Sequence, residues 1–126
     1  MSIILHMTPR TQWETSQVTG YHTADSLETQ GFIHCSTAAQ VVKVANKHYH
    51  GQTGLVLLCI DTDRLTSECK FEPPINPQTG QYEPGVDEHF PHIYGVINLD
   101  AVVNVVDFPS NPDGTFTLPA AIQNED

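Results

Sequence analysis

The chain opens on an apolar block, Ile3-Ile4-Leu5, short enough to read as a buried strand. Thr8-Pro9 then predicts a helix start, with Thr8 as N-cap and Pro9 at the first helical position, where its missing N–H goes unneeded. His6 is therefore expected at a strand end. The helix carries Trp13 and fades by Gly20, residues 23–30 predict a short helical turn ended by Gly31, and residues 31–34 read as a strand. Thr37-x-x-Gln40 is a capping box, and Ala38, Val41, Val42 and Ala45 follow at helical spacing until Gly51.

Residues 55–60 are apolar on both faces, as a central strand requires, and residues 61–64 turn the chain toward a short strand around Lys70-Phe71-Glu72. Residues 73–91 are rich in proline and contain Gly80 and Gly85, which predicts a long loop. Strand character resumes over 92–97 and 102–108, separated by a turn at 98–100. The pattern predicts one α+β domain over residues 1–108 with a mixed sheet, followed by a tail or surface hairpin over 109–126.

Composition narrows the functional classes. Fifteen acidic residues face five Lys and Arg, a formal charge of −10, and a cationic groove for long nucleic acid is hard to build from so few bases. No apolar run spans a bilayer and the first residues lack a signal-peptide pattern, so a cytoplasmic protein with no membrane partner is expected. Cys35, Cys59 and Cys69 are odd in number and widely spaced, which argues against a disulfide framework.

Histidine stands out, because seven of them outnumber all Lys and Arg together, and neutral imidazole can donate, accept or carry protons near pH 7. His34 and Ser36 alternate along one strand face while Cys35 points the other way. Glu72 ends a strand just before Pro73-Pro74, where a carboxylate can be fixed at a cleft edge. His89 and His92 would serve a metal site completed by Glu72 or His34, although H-x-x-H across a proline is not the helical zinc pair. His22, His48 and His50 need only structural roles. No dinucleotide glycine fingerprint, P-loop or nucleophile elbow is present.

The ordered set Ile4-Leu5-His6-Met7-Thr8, Gly31-Phe32-Ile33-His34-Cys35-Ser36-Thr37, Gly54-Leu55-Val56-Leu57-Leu58, Lys70-Phe71-Glu72 and Phe90-Pro91-His92-Ile93-Tyr94-Gly95 closely resembles the uncharacterised bacterial family catalogued as domain of unknown function 952. The resemblance covers most of residues 3–107. That family is similar to the ADP-ribosyltransferase and RNA 2′-phosphotransferase superfamily, which implies a split, mixed β-sheet with flanking helices around an NAD-binding cleft. It implies that His6, with Thr8, stands where the superfamily grips a ribose of NAD. Ile33 falls where the transferases commonly place Tyr, so Phe32 or Tyr94 would have to supply nicotinamide stacking. His92 falls where many carry a catalytic Glu, with Glu72 and Glu88 as nearby carboxylates.

The expectation is thus an ADP-ribosyltransferase-like domain whose partner is a small-molecule nucleotide, NAD or ADP-ribose, with no metal. His6, Thr8, Phe32, His34, Ser36 and Tyr94 are the binding candidates, and His6, His34, Glu72 and His92 the catalytic ones. Glu72 or His92 would stabilise an oxocarbenium-like state or deprotonate an acceptor. Two other readings stay open: a non-catalytic module binding a small ligand or nucleotide in the same cleft, and a metal-dependent hydrolase using His34, His89, His92 and Glu72.

Overall fold

A computed structural model describes residues 2–75, 79, 81 and 88–122. Its centre is β4 (Leu55–Asp61), every residue of which is buried, as a strand apolar from Leu55 to Ile60 and flanked on both edges and both faces must be. One edge pairs with β1 (Ile3–Pro9), in register from Ile3 opposite Asp61 to Pro9 opposite Leu55, and the other with β8 (Val102–Asp107). A second sheet has the order β3 (Ile33–His34), β6 (Phe90–Tyr94), β5 (Glu68–Glu72), and a small one pairs β2 (Tyr21–His22) with β7 (Ile97–Asn98). The helices are α1 (Arg10–Thr19), α2 (Asp25–Gln30) and α3 (Val41–His48).

The two larger sheets meet at a narrow seam. Leu5 and Ser36 form an isolated antiparallel bridge, with Leu5 N–H donating to Ser36 C=O at 2.7 Å and Ser36 N–H to Leu5 C=O at 2.8 Å. Beyond it the sheets diverge. Ile33, Cys35 and Ile93 from one sheet pack against Ile4, Val56, Leu58 and Ile60 from the other, forming one core cluster. A second cluster lies on the opposite face of β4, where Leu55 and Leu57 meet α3, Phe108 and Phe116.

Glycine ends two helices where the sequence predicts it. Gly20 and Gly31 adopt φ of 96° and 91°, a left-handed conformation that costs a residue without Cβ little. The capping box forms by half: Thr37 N–H donates to Gln40 Oε1 at 3.0 Å, while the regular helix begins at Val41.

Several expectations need correction. β1 stays paired with β4 as far as Pro9, so His6 is a mid-strand residue opposite Leu58, and Thr8 is a strand residue opposite Val56. Thr8 therefore caps nothing; Pro9 is the residue before the helix, and Arg10 N–H donates to Gly54 C=O instead. The strand expected over 92–97 is broken at Gly95 into β6 and β7, which belong to different sheets. All described pairings are antiparallel where a mixed sheet is expected, because periodicity reports which face is buried and carries no strand direction. After residue 108 the chain has no strand among its described residues, yet Phe116 and Ile122 are buried and Phe116 stacks on Phe108.

Candidate functional site

The divergence of the sheets leaves a cavity of about 560 Å³, within the range of small-molecule sites. β1 supplies His6 and Thr8, the segment beyond β3 supplies Ser36, and His34 and His92 come from paired positions on β3 and β6. Helices α2 and α3 close the far side with Asp25, Gln30 and His48. Strand alternation explains the grouping: Phe32, His34, Ser36, His92, Tyr94 and Glu72 share one face of the second sheet, while Ile33, Cys35 and Ile93 fill the core.

Hydrogen bonds select the imidazole tautomers. His6 Nδ1–H donates to the backbone carbonyl of His34 at 2.7 Å, leaving Nε2 unprotonated in the neutral ring. His92 Nδ1–H donates to Glu72 Oε1 at 2.8 Å, and Tyr94 O–H donates to the same oxygen at 2.5 Å. In neutral His92 the basic nitrogen is again Nε2. Phe32 lies flat on His92, with centroids 3.9 Å apart and planes inclined by 16°, so the ring is held by stacking and by the carboxylate. His34 faces His92 edge-on at 5.6 Å and hydrogen-bonds Gln30 through Nε2.

These rings are kept neutral. Desolvation lowers the pKa of His6, and the bond to the His34 carbonyl opposes it only in part. Desolvation lowers His34 to about 4, and the repulsion its protonated ring would meet from His92, His6 and His48 adds to the effect. Desolvation also lowers His92, against the hydrogen bond and charge of Glu72. Cys35, buried on the opposite face, has its thiol pushed well above the ordinary value by desolvation, which removes it as a nucleophile near neutral pH.

The structure thus gathers His6, Thr8, His34, Ser36 and His92 on the cavity wall. Glu72, Phe32 and Tyr94 do not line it; they form a layer behind His92. His89 also stands off the wall, its carbonyl accepting from Gln40. Glu88 pairs with Lys43. Among the described residues no group of three or more His, Cys, Asp or Glu is arranged to hold a metal ion.

His22, expected to need only a structural role, stands off the cavity wall next to His6. It is wholly buried, its Nδ1 lies 2.6 Å from Ser16 Oγ, and its ring meets His6 edge-on at 5.2 Å. Ser16 Oγ already donates to Gln12 C=O, so His22 Nδ1–H donates to the serine and Nε2 is left without a partner. Only the β2–β7 pairing brings His22 here, and nothing local signals it.

Fold and cavity define a split-sheet α+β domain with a histidine-lined cleft. A family model described as protein of unknown function (DUF952) matches residues 7–105, and the chain belongs to that family. It is similar to protein CC0527 from Caulobacter crescentus: the crystal structure is 26% identical with a TM-score of 0.77, covering 93% of this chain and 95% of that one. The solution NMR structure of CC0527 is 27% identical with a TM-score of 0.72, covering 91% of each. A search of curated proteins finds no match.

Proposed function

We propose that the cleft binds a ribosyl ligand of the nucleoside and nucleotide class to which NAD and ADP-ribose belong, with His92 as its acid–base group. The observation that carries this reading is the meeting of His6, His34, Ser36 and His92 on one cavity, with His92 fixed through Glu72. Imidazole nitrogens and a serine hydroxyl suit the hydroxyls of a ribose, which donate and accept in pairs. Two half-sheets opening onto that cleft support an ADP-ribosyltransferase-like arrangement. The pyrophosphate of NAD fits less well, because no Lys or Arg lines the cavity.

In catalysis His6 orients the ribose and His92 Nε2 receives a proton. In an NAD-type pyridinium ribosyl compound the C1′–N bond breaks with its electron pair leaving on the base, which loses its positive charge and departs neutral. A hydroxyl of water or another acceptor bonds C1′, and its proton passes to His92. Glu72 is a positioning residue: it lies behind His92 and holds Nδ1–H, which fixes the tautomer. That no glutamate among the described residues lines the wall favours a second reading, a module that binds without turnover.

Thermal shift with nucleosides, NAD, ADP-ribose and zinc tests binding, since a ligand of the native state raises the melting temperature. If zinc alone shifts it at millimolar concentrations, the ribosyl reading is wrong. Base release by the parent, lost on the order of 10²-fold or more in His92→Ala, identifies an enzyme; absence of release with bound ligand identifies the module.

A further inference from the structure

We infer that the cleft takes an unphosphorylated, cationic ribosyl compound, a pyridinium riboside, in preference to a pyrophosphate-bearing dinucleotide. The inference rests on the ribosyl reading above and narrows its substrate class. A phosphate held by a protein ordinarily meets Arg or Lys in charge-assisted hydrogen bonds, roughly twice as strong as neutral ones. This chain has five such residues, Arg10, Lys43, Lys47, Arg64 and Lys70, and none lines the cavity.

Four of the five are engaged elsewhere. Arg10 pairs with Asp107, Lys43 with Glu88 at 2.5 Å and Arg64 with Asp61 at 3.6 Å. Lys70 lies 3.9 Å from Glu68 and 5.2 Å from the centroid of Tyr94. All five belong to the described residues, so the rest of the sequence adds no cation to the cleft. Of the lining histidines, His6, His34 and His92 do not replace them, since desolvation keeps these three neutral at pH 7.

Of the Asp, Glu, Lys and Arg side chains, only a carboxylate faces the cavity among the described residues. Asp25 is its sole carboxylate among the described lining residues, and the chain as a whole carries a formal −10. That field repels a pyrophosphate and attracts a pyridinium ring. Tyr49 and Phe90 are also among the lining residues, and a flat cation gains from an aromatic ring face. Breakage of the C1′–N bond removes the pyridinium charge from the base and develops positive charge on the sugar, so the same acidic surroundings favour the transition state.

The test is titration calorimetry on the full chain with nicotinamide riboside, its 5′-phosphate, NAD and ADP-ribose. Nicotinamide riboside is expected to bind at least tenfold more tightly than its 5′-phosphate or NAD. Asp25→Asn is expected to weaken the riboside a few-fold and to leave the neutral dihydronicotinamide riboside unchanged. If the 5′-phosphate or NAD binds as tightly as the riboside, the inference is overturned while the ribosyl reading stands. If Asp25→Asn weakens the charged and neutral ribosides equally, the electrostatic argument is overturned. If none of the four compounds binds the folded protein, both fall.

Discussion

Lowering the pH should destabilise the protein through His22, and the amount can be worked from its surroundings. The ring is wholly buried with Nε2 unpartnered, and desolvation, followed by the charge of His6, lowers its pKa from 6.5 to about 4. A base whose native pKa is depressed is neutral in the fold and takes up its proton on unfolding. Its contribution is therefore complete above about pH 6.5, is lost progressively as pH falls toward about 4, and does not change further below that. At about 1.4 kcal/mol per tenfold step the whole span is worth about 3 kcal/mol, and the interval from pH 7 to pH 5 about 2 kcal/mol. The assay is urea unfolding at both pH values for the parent and for His22→Phe, which removes the titrating group while Ser16 Oγ keeps its bond to Gln12 C=O. Taking the difference between the two proteins cancels the histidines that do not touch His22. The parent should lose about 2 kcal/mol more than the variant; equal losses would refute the argument, as would a His22 resonance titrating near 6.5.

Other expectations follow from the same packing. Glu72→Gln removes the charge and keeps an acceptor, so His92 should take up its proton at lower pH than in the parent, as read by NMR of the ring. Phe116→Ala opens a hole against Phe108 and should cost about 3–5 kcal/mol in urea unfolding, whereas a loosely attached segment would give almost none. Gly114→Ala should cost about 1–3 kcal/mol, because φ is +89° and the added Cβ would sit 2.6 Å from His50 Cε1; an unchanged melting temperature would contradict this.

The elements legible in the sequence are those set by local chemistry. Leu55–Asp61 is buried on both faces because no polar residue interrupts its apolar part, and Gly20 and Gly31 end helices because they can turn left-handed. Period-two alternation likewise places His34 with Ser36 and separates both from Cys35. What could not be read depends on distant partners. The extension of β1 to Pro9 follows from pairing with a strand that begins 46 residues later, and it moves His6 from a strand end to its middle. The bond from His92 to Glu72 depends on the register of β5 on β6, which puts Lys70 opposite His92 and Glu72 one diagonal step away. His22 reaches His6 through a two-residue strand too short to carry any pattern.

The seam between the sheets has a mechanical consequence. Leu5 and Ser36 lock the two walls together by backbone alone, and the adjoining His6 is tied to the carbonyl of His34. The candidate groups are thus mounted beside a junction that the packing of Ile33, Cys35 and Ile93 on Ile4, Val56, Leu58 and Ile60 holds on its other side, so the walls that carry His6 and His34 share one rigid support.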